Sequence, residues 1–258
     1  MTQHHALVTG ATSGLGLAIA RALAASGAAV TLTGILSQED GDAVATSLAE
    51  ETGSTVTYDP ADLRSRSETE TLVDRASARA PVDIVVNNAV LRHFKPVEDC
   101  DPDEWDASLA VNLTAAFNFS RLCVPAMKRQ GWGRILNVAS IYGTKGAANR
   151  IDYVTTKAGL IGMTRALALE LAQTGITCNA ISPGTVLSEP IEDRIAGQAR
   201  DAGITLDEAK QTYLATRNPN GRFIDLAAVG AAATFLCSDA AADINGADLP
   251  IDGGWSVA

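Results

Sequence analysis

The feature that most constrains the fold of this chain is an alternation, repeated from end to end, of short apolar runs and longer amphipathic segments. The short runs predict strands at 6–9, 28–33, 55–58, 82–86, 134–139, 176–181 and 247–251. The longer segments predict helices at 15–25, 39–51, 68–79, 104–130 with a break near Asn112, 153–174 and 226–237. This alternation predicts one α/β domain over 1–258, a doubly wound parallel sheet with helices on both faces.

One stretch departs from this rhythm. Residues 188–216 are more polar and have weaker periodicity than the rest of the chain. We expect this segment to form a lid over the substrate.

Composition and charge narrow the range of functions. Hydrophobic residues make up 47% of the chain and charged residues 19%, which supports a packed core and argues against global disorder. The formal net charge is −10, so we expect no basic face and no nucleic-acid partner. A local cationic pocket for an anionic ligand is compatible with this balance.

The cysteines and the chain terminus point to a protein of the cytoplasm. The spacing of Cys100, Cys123, Cys178 and Cys237 fits neither a zinc site nor a disulfide framework, so we expect buried thiols and no metal site. The first residues have no basic stretch followed by an apolar stretch, so we expect no signal peptide. No run of about 18 apolar residues occurs, and we expect no membrane partner.

A glycine-rich turn follows the first predicted strand and opens the first predicted helix. It reads TGATSGLG, with Gly10, Gly14 and Gly16 beside Ser13 and Leu15. Glycines let a pyrophosphate approach the backbone, and the helix N-terminus offers free N–H groups to the phosphates. The alternative is an ordinary tight turn, which three glycines alone do not exclude. The favoured interpretation is a dinucleotide site on a Rossmann-type fold.

The segment after the second predicted strand bears on the choice of dinucleotide. The stretch 32–37 contains neither an acidic nor a basic residue, and the first acid is Glu39. A 2′-phosphate would require a cation at this position. The sequence therefore predicts NAD as the cofactor and makes NADP less favourable, although the usual carboxylate for the ribose is also missing.

Three residues suit acid–base chemistry on an alcohol. Ser140 ends a predicted strand, and Tyr153 and Lys157 are four residues apart on a predicted helix, so they share one face. A free phenol ionises only near pH ~10, and a nearby ammonium stabilises the phenolate. Any Tyr-x-x-x-Lys pair can also be a solvated helix face. Their order in the chain after a glycine loop favours a catalytic set.

Taken together, these motifs resemble those of the classical short-chain dehydrogenases over essentially the whole chain. Asn87-Asn88-Ala89 resembles the family's NNAG motif, Pro183-Gly184 its PG motif and Asp252-Gly253-Gly254 its DGG segment. The resemblance implies that the catalytic residues are Asn112, Ser140, Tyr153 and Lys157. It implies cofactor contacts at Gly10, Ser13, Gly14, Leu15, Gly16, Asp62, Leu63, Asn88, Tyr153, Lys157, Pro183, Gly184 and Ser188. Val90 replaces the family's glycine and would alter the site near the nicotinamide ribose.

Within this family the chain resembles the D-3-hydroxybutyrate dehydrogenases, in stretches such as 60–63 and 252–255. In that group a glutamine, a histidine and a lysine hold the substrate carboxylate. The matching positions here are Arg92, Tyr142 and Arg150. Two arginines suit an anion, with Lys145 as a possible further charge, although cations on surface loops are the alternative. Asp152 is interpreted either as an outward ion-pair partner of Arg150 or as a contact for a polyhydroxy substrate.

The resulting hypothesis is an NAD-dependent oxidoreductase. It interconverts a secondary alcohol and a ketone on a small, anionic hydroxy acid, similar to 3-hydroxybutyrate, or on a sugar acid. Family resemblance also implies a homotetramer. Two alternatives remain: an NADP-dependent carbonyl reductase and a catalytically silent dinucleotide-binding protein on the same fold.

Overall fold

A computed structural model describes residues 4–258, apart from the side chains of residues 189 and 190. The prediction of no signal peptide falls in part on residues 1–3, which lie outside the described part. Within this range one sheet contains seven strands: β1 (His5–Thr9), β2 (Ala29–Thr33), β3 (Val56–Tyr58), β4 (Ile84–Asn87), β5 (Gly133–Val138), β6 (Ile176–Pro183) and β7 (Asp248–Ile251). Their order is β3-β2-β1-β4-β5-β6-β7, and neighbouring strands run parallel. The predicted parallel sheet is confirmed.

Nine α-helices connect and cover these strands within residues 4–258. They are α1 (Gly14–Ala25), α2 (Gln38–Thr52), α3 (Arg66–Arg79), α4 (Pro102–Leu109), α5 (Ala115–Gln130), α6 (Ile151–Leu171), α7 (Glu189–Ala202), α8 (Leu206–Ala215) and α9 (Leu226–Leu236). Several begin where a side chain caps a free backbone N–H, as Ser37, Ser65, Asp101 and Asp225 do. The predicted helices agree with these bounds to within a few residues.

Two hydrophobic cores lie on opposite faces of the sheet, because successive strand residues point to opposite sides. On β1, Ala6 and Val8 belong to one core with residues of α1, α2 and α9. Leu7, between them, belongs to the other core with residues of α3, α5 and α6. Helices therefore cover both faces, as predicted. None of the helices in the described part is both long and apolar enough to cross a membrane.

The strand order reverses between β1 and β4, which are neighbours in the sheet although two strands separate them in sequence. In an open parallel sheet, a crevice forms outside the carboxyl ends of the strands at such a reversal. The glycine turn after β1 and the segment after β4 both open into this crevice. The fold thus brings the two motifs of the sequence to one place.

The segment 188–216 is more regular than its weak periodicity indicated. It forms α7 and α8, and α8 begins with a capping box in which Thr205 and Glu208 cap each other's backbone N–H groups. The two helices enclose a small core of their own, which includes Ile195 and Tyr213. Polar residues obscured the helical pattern, because only a narrow face of each helix is buried.

The predicted break near Asn112 is confirmed as a local change in helix geometry. Residues Ala110–Thr114 form a π-helical turn between α4 and α5. Such turns widen the helix by one residue and often occur at functional sites. Here the turn carries the buried Asn112 towards the segment that follows β4.

Candidate active site

A cleft of about 380 Å³ lies at the carboxyl ends of β1, β4, β5 and β6. Most of the residues selected from the sequence line it: Gly10, Ser13, Gly14, Leu15, Gly16, Asn88, Arg92, Ser140, Tyr142, Arg150, Tyr153, Lys157, Pro183, Gly184 and Ser188. These residues come from five separate stretches of the chain. Their convergence agrees with the crevice expected at the reversal of strand order.

The glycine turn at one end of the cleft leaves no room for larger side chains. A methyl group on Gly16 would overlap the Gly10 carbonyl oxygen and lie 2.5 Å from Nδ2 of Asn88. Gly10 and Gly14 have φ values of +59° and +54°, a region that glycine adopts at little cost. The amide of Asn88 holds the turn by donating to the carbonyl oxygens of Thr9, at 2.9 Å, and Gly10, at 3.0 Å. The backbone is therefore shaped for a phosphate group before any ligand arrives.

A second feature of the cleft fits a nicotinamide dinucleotide. Ser188 lines the cleft at the start of α7. Its Oγ atom is buried and has no hydrogen-bond partner among the described residues. A buried hydroxyl without a partner is costly unless a ligand satisfies it. A carboxamide, such as that of nicotinamide, provides both a donor and an acceptor for this purpose.

Tyr153 and Lys157 project from α6 into the same cleft, one helical turn apart. The Lys157 Nζ atom lies 5.7 Å from the centroid of the Tyr153 ring and donates to the Val138 carbonyl oxygen at 2.6 Å. Burial, and to a lesser degree the charge of Arg92, lowers the pKa of Lys157 to about 7. The protein by itself therefore stabilises the protonated form of Lys157 only weakly.

Ser140 lies opposite this pair, at the end of β5. Its Oγ atom accepts a hydrogen bond from the Tyr142 backbone N–H at 3.2 Å, which leaves the hydroxyl hydrogen able to point into the cleft. Tyr142 contacts Tyr153 edge to face, with 6.3 Å between ring centroids. The serine hydroxyl and the tyrosine phenol thus face a common space.

Asn112 lies behind the cleft wall. Its Oδ1 atom accepts from the Leu91 backbone N–H at 2.7 Å, and its Nδ2 atom donates to the Leu91 carbonyl oxygen at 2.7 Å and to Thr156 Oγ1 at 3.1 Å. These bonds join the segment after β4 to α6, the helix of Tyr153. The side chain of Asn112 therefore holds these two segments in place; the catalytic role that the resemblance implies for it stays a prediction.

Asp62 and Leu63 do not line the main cleft. Asp62 forms a two-point ion pair with Arg64, and Leu63 packs into the core on the α3 and α5 face. The hydrogen bonds from Arg64 lower the pKa of Asp62. The structure therefore does not bring these two residues together with the other predicted cofactor contacts.

The two predicted anion-binding arginines lie at the Tyr153 end of the cleft. The Arg150 guanidinium carbon lies 3.9 Å from the Phe94 ring centroid and 5.6 Å from that of Tyr153. Burial lowers the pKa of Arg150, and the charges of Arg92 and of Arg194 on α7 act in the same direction. Arg92 lines the same wall. An anion in the cleft would relieve this repulsion between cations.

Both interpretations of Asp152 were wrong. The residue is only 4% exposed and its carboxylate accepts hydrogen bonds from Ser108 Oγ at 2.7 Å, His93 Nδ1 at 2.9 Å and the Tyr153 backbone N–H at 2.6 Å. Burial alone would raise the pKa of Asp152, but the hydrogen bonds from Ser108 and His93 outweigh it, so that the pKa is lowered. The carboxylate therefore joins the segment after β4 to the start of the helix of Tyr153.

Several cleft residues escaped the sequence-based selection. Arg217 and Tyr213 line the cleft from the carboxyl end of α8 and the turn after it, and Trp255 lines it from the C-terminal segment. Nothing in the local sequence marks Tyr213 and Arg217, since they approach the cleft only through the packing of α7 and α8. Trp255 lies in the matching stretch 252–255 but was not selected as a site residue. Lys145, a candidate from the sequence, instead donates to the Trp255 carbonyl oxygen at 2.6 Å.

A phosphate-shaped glycine turn and a tyrosine–lysine pair in one cleft define a class of protein, the oxidoreductases that use a nicotinamide dinucleotide. Comparison with known proteins agrees. The family model for short chain dehydrogenase matches residues 4–198. The chain belongs to the short-chain dehydrogenase family. As a member, it is an NAD(P)-dependent oxidoreductase that acts on CH–OH groups.

Individual relatives cover almost the whole chain. A D-beta-hydroxybutyrate dehydrogenase from Cupriavidus necator is 43% identical over 252 residues, which is 97% of this chain and 96% of that protein. A second, from Rhizobium meliloti, is 38% identical and covers 98% of each. Among solved structures, L-sorbose reductase from Gluconobacter frateurii, complexed with NADPH and L-sorbose, is similar with a TM-score of 0.94 at 27% identity, covering 100% of this chain and 98% of that one.

Proposed function

We propose that this enzyme oxidises the secondary alcohol of a small anionic hydroxy acid or sugar acid, with NAD as the cofactor. The observation that supports this most is that Tyr153, Lys157 and Arg150 meet in one cleft, next to a glycine turn shaped for a dinucleotide. When bound, NAD supplies the acceptor for the hydride. The side chains of the chain must then orient the alcohol and take its proton.

Tyr153 is the group that takes this proton. Its phenolic oxygen serves as the base in the oxidation and as the acid in the reverse reaction. The Lys157 ammonium stabilises the phenolate, and Ser140 donates a hydrogen bond to the substrate oxygen. Asn112 holds α6 against the segment after β4, which sets the position of both catalytic groups.

Arg150 and Arg92 bind the carboxylate of the substrate. A guanidinium offers two parallel N–H donors to a carboxylate. The stacking of Arg150 on Phe94 orients its planar group beside Tyr153. Two relatives are named for an anionic hydroxy acid, which supports the same substrate class for this chain. The lid proposed at 188–216 contributes Ser188, Ile191 and Tyr213 to the cleft wall.

The turn after β2 favours NAD over NADP. It carries exposed Ile35 and Leu36 and no cation that would pair with a 2′-phosphate. An NADP-dependent carbonyl reductase is the second candidate, because the similar L-sorbose reductase is complexed with NADPH. A silent binding protein has no need of the Ser140, Tyr153 and Lys157 set.

Two further proposals concern the state of the protein in the cell. We propose a homotetramer, supported by Phe117 on α5 and Leu169 on α6, which are 50% and 82% exposed. Light scattering should give about four times the 26.7 kDa chain mass. We also propose that the protein resides in the cytoplasm, whose reducing conditions suit the free cysteines among the described residues.

One experiment tests the main proposal. Hydroxy acids and sugar acids are screened with NAD and with NADP, and turnover is followed by the absorbance of reduced nicotinamide. We expect an acid to be oxidised with a kcat/KM for NAD about tenfold or more above that for NADP, since tenfold corresponds to the loss of about one charged contact. Activity confined to neutral carbonyl compounds with NADPH would select the second candidate.

A further inference from the structure

The charges on the wall of the cleft all have one sign. Among the lining residues that the structure describes, the charged ones are Arg92, Arg150, Lys157 and Arg217, and none is Asp or Glu. The chain as a whole has a net charge of −10, with 30 acidic and 20 basic residues. A cationic wall therefore does not follow from composition and points to an anionic ligand.

Arginines in other parts of the fold either have carboxylate partners or are exposed to solvent. Arg21 pairs with Glu51 at 2.8 Å and Arg121 with Glu70 at 2.8 Å. In contrast, Arg92, Arg150 and Arg217 form no ion pair within residues 4–258, side chains 189 and 190 excepted. Arg150 and Arg217 instead contact aromatic rings, and Arg217 also donates to a carbonyl oxygen.

Arg217 is held in a defined orientation. Its Nη1 atom donates to the Tyr213 carbonyl oxygen at 2.8 Å, and its guanidinium carbon lies 4.0 Å from the centroid of the Tyr213 ring, which is itself buried. The described contacts use Nη1 and leave the edge formed by Nε and Nη2 without a protein partner. That edge is the one that binds a carboxylate or phosphate through two parallel hydrogen bonds.

One carboxylate is not enough for this wall. A single carboxylate accepts the fork of one guanidinium and can touch a second, which accounts for Arg150 and Arg92. Arg217 then remains without an anion from the substrate. The negative charges of the dinucleotide are on its pyrophosphate, which the glycine turn would hold. Unpaired cations in a partly desolvated cleft repel one another, and a second anion relieves the repulsion.

We propose that the preferred substrates are hydroxy acids with a second anionic group, either a carboxylate or a phosphate, and that Arg217 binds this second group. The inference rests on the proposed oxidation of an anionic hydroxy acid and specifies its substrate class. Arg150, beside Tyr153, binds the first carboxylate near the reacting carbon. Arg217, on the turn after α8, binds the second at the lid side of the cleft.

Matched substrates test the inference. Malate is 3-hydroxybutyrate with its methyl group replaced by a carboxylate, 3-hydroxyglutarate is one carbon longer, and 3-hydroxy-4-phosphobutyrate carries a phosphate. We expect at least one of these compounds with two anionic groups to exceed 3-hydroxybutyrate in kcat/KM by about tenfold or more, the effect of one charge-assisted contact. The best of the three identifies the second anion as carboxylate or phosphate.

Variants then assign the second anion to Arg217. Arg217→Gln should lower the ratio of kcat/KM for the best of these compounds to that for 3-hydroxybutyrate by about tenfold. Arg222→Gln is the matched control, because this exposed arginine lies a few residues further along and does not line the cleft. Its ratio should equal that of the wild type. A wild-type enzyme that prefers 3-hydroxybutyrate, or an Arg217→Gln variant whose ratio is unchanged, overturns the inference.

A binding measurement separates this inference from the proposed reaction. Calorimetry compares succinate and glutarate with butyrate as unreactive probes of the enzyme with NAD. Tighter binding of a dianion that Arg217→Gln removes supports the second anion site even if no tested alcohol is oxidised, in which case the proposed reaction alone fails. Oxidation of 3-hydroxybutyrate without tighter dianion binding has the opposite meaning: the reaction stands and the second anion site is rejected.

Discussion

The two ends of the cleft differ in how their polar groups are satisfied. At the glycine-turn end, Asn88 and Thr9 already bond to each other and to the turn, so the backbone is held in shape by the protein. At the Tyr153 end, Arg92 and Arg150 have no carboxylate partner within residues 4–258, side chains 189 and 190 excepted, and neither has Arg217 on the turn after α8. The first end is complete before a ligand binds, whereas the second requires the ligand to complete it.

This difference determines which substitutions each end of the cleft tolerates. A preformed turn limits the volume of its side chains, because nothing can move to make space. At the unpaired cations, charge and not volume limits which side chains are tolerated. Single substitutions there change the specificity for the ligand. The buried carboxylate of Asp152 combines both properties. It is charged, and its hydrogen bonds to Ser108, His93 and the Tyr153 backbone hold the Tyr153 end in place. The following five predictions test this contrast, beginning with the largest effect.

The chemistry itself should depend on one oxygen atom. Tyr153→Phe removes the phenolic hydroxyl and keeps the ring that packs against Tyr142. We expect turnover to fall by about 10²–10⁴-fold, the usual contribution of a general acid–base group. The NAD dissociation constant, measured by calorimetry, should stay near the wild-type value. A variant that retains more than about a tenth of the rate would exclude this role.

A change at the preformed end should act on the cofactor. Gly16→Ala places a methyl group against the Gly10 carbonyl oxygen and the Asn88 amide. We expect NAD affinity to fall by about tenfold to a hundredfold, because the turn must shift away from its phosphate-binding shape. Gly197→Ala on α7 is the control, since its added methyl meets only Arg200, at 3.9 Å. Equal NAD affinity in both variants would show that the turn is adaptable.

A change at the buried carboxylate should loosen the Tyr153 end. Asp152→Asn replaces one acceptor oxygen by a donor that faces the hydrogens of Ser108, His93 or the Tyr153 backbone. Each lost charge-assisted bond costs about 1.5–3 kcal/mol. We therefore expect a lower melting temperature and a kcat/KM reduced by about tenfold, with NAD affinity retained.

The control for this variant is Asp106→Asn, on the same helix as Ser108 but exposed. It should leave both the melting temperature and the kinetics close to those of the wild type. If Asp152→Asn lowers NAD affinity and substrate affinity equally, the carboxylate stabilises the whole fold and has no special part in the Tyr153 end.

The charge of the substrate should decide the effect at Arg150. Arg150→Ala should raise KM for an acidic substrate by about tenfold, the loss of one charge-assisted contact. The amide or ester of the same acid should be affected much less, because it carries no charge. Equal losses with the acid and with its neutral analogue would make Arg150 a structural residue.

The smallest expected effect is a dependence of NAD affinity on pH, through the protonation of Lys157. Lys157 has a pKa of about 7 in the protein without ligands, so it is a cation below that pH and neutral above it. A bound anion stabilises the cation and raises its pKa. Affinity for NAD should therefore be greatest below about pH 7 and fall by about threefold as pH rises towards 9. In Lys157→Met this decline should vanish; an equal decline there would point to another group.

The glycine turn and the tyrosine–lysine pair were predictable from sequence. The turn at Gly10, Gly14 and Gly16 sits between a strand and a helix, and the Tyr153–Lys157 pair is four residues apart on α6. These signals are local, because turn chemistry and helical spacing act over a few residues. Strand and helix positions were predictable for the same reason, through the period of their apolar residues.

The tertiary structure decided the rest, because the remaining contacts join residues that are distant in sequence. Ser108 and Asp152 are 44 residues apart, and His93 and Asp152 are 59 apart. No local pattern relates them, so sequence reasoning interpreted Asp152 as an outward ion-pair partner of Arg150 or as a substrate contact, and not as a buried acceptor. Likewise, Arg217 reaches the cleft only because α7 and α8 pack together over it. The sequence by itself determined the fold, the glycine turn and the tyrosine–lysine pair. Only the packing of distant segments decided which charges surround the substrate, since electrostatic contacts depend on distance in space.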